Sequence, residues 1–122
     1  MSKPSHSAVT RKYLGHYEPR YSRFFEKQMK KVGSAFFKRV ETKIGDLRQD
    51  PYHNAPFGKG KWRGKRYVYI SRKDRLFFAI CEECKSEKHQ RFNQCLKCDD
   101  TPDYVFVVFC CIFGHDYKRG WK

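Results

Sequence analysis

The chain has 122 residues, with 27 Lys+Arg against 13 Asp+Glu, so it carries a formal charge of +14 with its five His residues neutral. That is the length of one domain, and the charge calls for a polyanion partner. Hydrophobic content is only 39%, but aromatic content is 17%, so a few large rings can build a compact core and wholesale disorder is excluded.

The charge is uneven. Residues 1 to 75 hold 20 Lys+Arg and 6 Asp+Glu, whereas residues 76 to 122 hold 7 of each, so all of the net charge lies in the first three fifths. The stretch Lys59 to Arg75 alone carries eight basic residues and one acid, Asp74.

Residues 1 to 12 are small, polar and basic without periodicity, which predicts a flexible basic arm. No apolar stretch follows its basic residues, so no secretory signal is expected and the chain is placed in a reducing, cytoplasmic compartment. From Tyr13 the pattern YLGHY, followed by Glu18 and Pro19, suits a short edge strand ended by the proline. Over 20 to 32, Phe24, Phe25, Gln28, Met29 and Val32 fall at helical spacing with Lys27, Lys30 and Lys31 opposite. Gly33 and Ser34 break that helix and recap a second, in which Phe36, Phe37, Val40, Ile44 and Leu47 form an apolar stripe ending near Asp50-Pro51. The aromatic stripe of this helical hairpin is read as core.

Tyr52 to Gly64 is a loop, with Lys59, Lys61 and Arg63 on alternate positions. A period of two follows, with Tyr67, Tyr69 and Ser71 on one face and Arg66, Val68 and Ile70 on the other, which is a strand. After a turn at Ser71 to Asp74, Leu76 to Ile80 reads as a second strand. Tyr104 to Phe113 reads as a third, buried on both faces. The apolar run here, Tyr104 to Gly114, has 11 residues, about half of the ~20 that a spanning helix needs, so no membrane partner is expected. The fold class is therefore α+β, a helical hairpin packed on a twisted antiparallel sheet.

Cys81, Cys84, Cys95 and Cys98 give C-x2-C-x10-C-x2-C between the second and third strands. Two such knuckles suit a tetrahedral S4 site for Zn²⁺ better than free thiols, vicinal disulfides or an iron–sulfur centre; with no open position the metal is expected to be structural, stapling an inserted hairpin over residues 81 to 98. His89 is the one residue able to replace a ligand. Lys85, Lys88, Arg91 and Lys97 offset the charge of such a centre. Cys110 and Cys111 read as small buried hydrophobes on opposite faces of the third strand.

The remaining polar residues that stand out are Lys59, Lys61, Arg63, Lys65, Arg66, Arg72, Lys73 and Arg75, then His115, Asp116 and Tyr117 just past the third strand. They suit RNA, either as plain backbone binding or as cleavage by the neighbouring 2′-hydroxyl. Cleavage needs a base for that hydroxyl, cations for the phosphate charge and an acid for the leaving 5′-oxygen. His115 or a lysine suits base or acid, Arg66 and Arg75 suit phosphate clamps, and Tyr117 suits stacking or proton donation. From these residues alone binding is better marked than reaction.

The order of elements resembles the RelE/ParE toxin superfamily from about Tyr17 to Tyr117. The resemblance runs through YEPRYSRFFEKQMKKV, the second helix up to LRQDP, then GKWRGKRYVYI, DRLFFAI and VVFCCIFGHDYKR, and is interrupted by the cysteine insertion. It implies one RelE-like domain over 13 to 122, with a basic cleft that in RelE-like members enters the ribosomal A site and cuts mRNA. By position, Arg75 and Arg66 match the family's strand arginines, and His115 and Tyr117 match its C-terminal catalytic element. Lys59, Lys61 and Lys65 lie where such members keep phosphate-binding lysines. A toxin of this kind implies a small antitoxin partner. The cysteine pairs and the basic arm depart from the pattern and suit instead a ribosomal or ribosome-associated protein that holds rRNA without cutting it. A ParE-like topoisomerase poison is the third reading.

Overall fold

The computed structural model describes residues 13–93 and 98–114, without the side chains of residues 91, 92 and 98. The basic arm over 1 to 12 lies outside the described residues. Strand β1 (Glu18–Tyr21) leads through Ser22 into helix α1 (Arg23–Met29), and Gly33 separates it from α2 (Ser34–Gln49). Then come β2 (Arg66–Tyr69), β3 (Arg75–Ile80), the short helices α3 (Cys81–Ser86) and α4 (Gln90–Asn93), and β4 (Val105–Ile112). The sheet order is β1-β4-β3-β2.

Three strands form the expected antiparallel meander, with β2 paired to β3 and β3 to β4. The edge strand differs from expectation in place and direction. Tyr13–Gly15 is a turn, with Gly15 at φ +82°, and the strand begins at Glu18 and contains Pro19. It runs parallel to β4, from Glu18↔Val105 to Tyr21↔Val108, so the sheet is mixed. Pro19 is tolerated because β1 is an edge. The turn also serves α2, because the N–H groups of Gly15 and Tyr17 donate to the Gln49 and Arg48 carbonyls, filling acceptors that the last turn of that helix leaves open.

Strand β1 stops at Val108, so the upper half of β4 needs other partners. Ser22 supplies two of them: its N–H donates to the Val108 carbonyl and its hydroxyl to the Phe109 carbonyl at 2.6 Å, while its Oγ also caps α1 at the Phe25 N–H. Gln28 supplies the rest, its amide accepting from the Cys111 N–H and donating to the Cys111 carbonyl, both at 2.7 Å. A side chain thus continues the ladder where the strand ends.

The helical face of the sheet carries the main core, in which Phe25, Val40, Ile44 and Leu47 meet Leu76, Phe78, Ile80, Phe106, Val108 and Cys111. On the opposite face Phe77 and Cys110 are buried under Trp62, Tyr67, Phe109 and Ile112. The two adjacent cysteines do lie on opposite faces, as their alternation predicts. Between the pairs Phe77↔Cys110 and Phe78↔Val108, Phe109 is an extra residue, a β-bulge that puts Phe109 and Cys110 on the same face. The segment between β3 and β4 contains two short helices rather than a plain hairpin. Among the described residues no helix is long and apolar enough to cross a membrane.

Candidate nucleic-acid interface

Register and the period of two build the site. Tyr69 stands opposite Arg75, and Arg75 opposite Ile112; one step along, Tyr67 stands opposite Phe77, and Phe77 opposite Cys110. All of these lie on the sheet face away from the helices. The Arg75 guanidinium lies 4.6 Å from the centre of the Tyr69 ring and donates to the Tyr69 hydroxyl and the Lys73 carbonyl, each at 3.1 Å. Tyr67 packs on Phe77 at 5.4 Å, and Trp62 stacks on Phe77 at 4.5 Å. The loop that carries Trp62 is folded back tightly: a Cβ placed on Gly58 would sit 2.8 Å from the Trp62 carbonyl, so only glycine permits that approach.

Cations border this aromatic surface. The Lys61 ammonium lies 5.2 Å from the centre of the Trp62 ring, and that of Lys65 4.9 Å from the centre of the Phe109 ring. Lys59 and Arg63 are exposed on the same loop, and Arg72 and Lys73 on the turn before Arg75. Their field reaches the buried Cys110: burial raises its thiol to about 12, against the lowering pull of Lys65 and Lys61. Flat rings that accept stacked bases, bordered by cations for phosphates, are what a single-stranded nucleic acid requires.

The structure separates the two arginines expected to clamp one phosphate. Arg66 pairs with Phe78 on the helical face, and its Nε and Nη2 donate to the two Glu83 carboxylate oxygens at 2.9 and 2.6 Å. Its Nη1 donates to the Ala55 carbonyl at 2.6 Å, and its side chain is 12% exposed. Arg66 therefore braces the fold from within, and Arg75 is the arginine that faces outward beside Tyr69.

His115 and Tyr117 lie outside the described residues. The point from which they leave is described: the Gly114 N–H donates to Asp74 Oδ1 at 3.1 Å, and the other Asp74 carboxylate oxygen accepts from the Ser71 hydroxyl at 2.8 Å. Asp74 thereby ties the exit of β4 to the turn just before Arg75, reinforcing a neighbourhood that the antiparallel pairing Arg75↔Ile112 already creates. The described part of the face offers binding and charge stabilisation, and the acid and base expected at His115 and Tyr117 lie outside the described residues.

For the cysteine set, Cys81 and Cys84 sit buried on the first turn of α3, while Cys95 and the side chain of Cys98 lie outside the described residues. Among the described residues no group of three His, Cys, Asp or Glu side chains is placed to hold a metal. His89 packs edge-on against Phe57 at 5.7 Å. A cleft of about 450 Å³ lies beyond the β2 edge, but Asp46 and Asp50 help line it, which disfavours phosphate.

Trp62 is the surface residue that the sequence pattern did not single out. Its signal is its place between Lys61 and Arg63, an aromatic interleaved in a basic run.

No family model matches the chain, and comparison with curated proteins finds no match either. Among solved structures, a chain of the toxin–antitoxin complex RelBE2 from Mycobacterium tuberculosis is similar, with a TM-score of 0.59 and 15% identity over 84% of this chain and 95% of that one. The fold is RelE-like.

Proposed function

We propose that this RelE-like chain is an RNA-binding protein that acts at the ribosome, as an endonuclease cutting mRNA without a catalytic metal. The observation that carries the reading is the basic, aromatic sheet face, with Arg75 beside the tied exit of β4. Bases stack on Tyr67, Tyr69 and Trp62, while Lys61, Lys65 and Arg75 take phosphates, with Lys59, Arg63, Arg72 and Lys73 at the border. In the cleavage step the 2′-oxygen attacks phosphorus and the bond to the 5′-oxygen breaks, leaving a 2′,3′-cyclic phosphate and a 5′-hydroxyl. The proton of the 2′-hydroxyl goes to a base and the leaving oxygen receives one from an acid, roles assigned to His115 and Tyr117, while Arg75 offsets the phosphate charge.

In this reading the four cysteines hold one structural Zn²⁺, the chain works in the cytoplasm, and a small antitoxin is its protein partner. The complex in which the similar fold occurs is a toxin–antitoxin pair, which supports that last element. The test is end-mapping of mRNA on ribosomes stalled with an empty A site: new 5′-hydroxyl ends inside the A-site codon are expected. Intact mRNA together with stoichiometric co-sedimentation on subunits would favour the second reading, an rRNA-binding component without activity. The features favouring that alternative are the cysteine pairs and the basic N-terminal arm, which depart from the toxin pattern.

A further inference from the structure

Helical spacing assigns Phe24 to the core, yet it is 60% exposed, the most open large apolar side chain among the described residues. Its neighbours on α1 fix the direction in which it faces. Phe25 and Met29 pack into the core under the sheet, and Gln28 bonds the Cys111 backbone at the edge that β4 presents beyond β1. A helix turns by about 100° per residue, so the order around α1 runs from Phe25 through Gln28 to Phe24 and then Lys27. Continuing past the β4 edge in that order leads to the sheet face that carries Tyr67, Phe77 and Phe109. Connectivity agrees, because Ser22, two residues before Phe24, donates its hydroxyl to the Phe109 carbonyl. The other flank of α1 is occupied differently: Glu26 lines a groove there with Phe37 and Glu41 of α2.

Lys27 beside Phe24, and Lys31 just past the end of the helix, are exposed as well. A bare ring would suit an apolar partner, but the ammonium groups next to it and its continuity with the rings of the sheet favour a nucleobase, with the flanking phosphates on the lysines. We propose that the RNA track does not end at β4 but continues over α1, where Phe24 stacks a base and Lys27 and Lys31 take phosphates. This rests on the RNA-binding reading above and adds to it a further subsite and a length. Neighbouring strands lie about 4.8 Å apart, so β2 to β4 spans about 10 Å, roughly three nucleotides at the ~3.4 Å rise of a stacked strand. Helix α1 adds about 10 Å, the diameter of a helix with its side chains, and brings the track to roughly six nucleotides.

The test uses the full chain and two fluorescein-labelled single-stranded RNAs, of about four nucleotides, enough for the sheet alone, and of about eight, enough for sheet and helix. Anisotropy reads their affinities. Phe24→Ala is expected to weaken the longer strand about fivefold, the low end of what stacking one base on a ring contributes, and to leave the shorter one unchanged. Phe24→Tyr, which keeps a ring, should restore the parent affinity. Lys27→Ala, which disturbs no apolar packing, should lower the log–log salt slope of the longer strand by about 0.7 and leave that of the shorter one as it is. Unfolding midpoints should stay at the parent value in all three variants. Loss of affinity equal for both lengths, or for neither, would overturn the extension over α1, as would a salt slope that Lys27→Ala does not change; the sheet-face reading then stands if Arg75→Ala still weakens both strands. If the parent chain binds neither strand, the RNA reading falls and the extension falls with it.

Discussion

Glu83→Ala removes the carboxylate that receives two of the Arg66 guanidinium's hydrogen bonds. The two side chains are 12% and 10% exposed, so the arginine left behind cannot be rehydrated without opening the core edge. Breaking a buried pair of this kind costs about 3–5 kcal/mol, most of it from the stranded charge. The Ala55 carbonyl and the Phe57 ring, 4.3 Å from the guanidinium carbon, remain, which favours the lower end of that range. At about 4 °C per kcal/mol for a chain of this size, the melting temperature should fall by roughly 12 °C. Thermal and urea unfolding followed by circular dichroism measure it. The paired replacement Arg66→Met with Glu83→Leu should come back to within about 1 kcal/mol of the parent, because no charge is then buried. A loss of less than about 1 kcal/mol for Glu83→Ala would mean that Arg66 is solvated, and would return it to the groups able to meet a phosphate.

Gln28→Ala strips both hydrogen bonds from the Cys111 backbone and should cost about 2 kcal/mol by urea unfolding; no change would mean that water replaces the amide. Arg75→Ala should leave the unfolding midpoint close to that of the parent, abolish cleavage, and reduce the salt slope of single-stranded RNA binding by about 0.7 in log–log form. An unchanged slope would remove Arg75 from the phosphate contacts. The thiols of Cys110 and Cys111 are each raised from 9.0 to about 12, mainly by burial. The folded chain keeps these protons where the unfolded chain loses them, so their contribution to stability is intact below pH 9 and is lost as the pH rises to about 12. Urea midpoints across that window should fall less for a Cys110→Ala, Cys111→Ala variant, and parallel curves would contradict the assignment. Metal analysis of protein purified without chelator should find one zinc per chain, and substantially less would sink the zinc reading.

The β4 strand was legible because an apolar run between polar flanks has few other places to go than the middle of a sheet, and Val105, Phe106, Val108 and Cys111 are all buried. The helix stripe was legible only in part: Phe25, Val40, Ile44 and Leu47 are buried as their spacing predicts, whereas Phe24 and Phe37, also read as core, are exposed. Strand β1 was not, since four residues, one of them proline, carry no periodicity, and its partner lies more than 80 positions away in the chain. The YLGHY stretch imitated a strand while in fact turning back to cap α2. Arg66 misled because a basic residue in a basic run reads as surface, and only Glu83, 17 positions on, reveals that it turns inward. The Phe109 bulge was invisible to a strict period of two, yet it places a ring under Lys65 on the candidate face. For the site, the basic loop and Arg75 could be read from composition and order. That the exit of β4 adjoins Arg75 follows from the antiparallel pairing of β3 with β4, and the structure adds the Asp74 tie.

The most direct test of the central claim is primer extension on a defined mRNA, programmed into ribosomes with a vacant A site and incubated with the intact chain. Cleavage within the A-site codon that depends on the ribosome, leaves a 5′-hydroxyl end and disappears in Arg75→Ala is the predicted result. Full-length mRNA under conditions in which the chain is bound to the same ribosomes would contradict it.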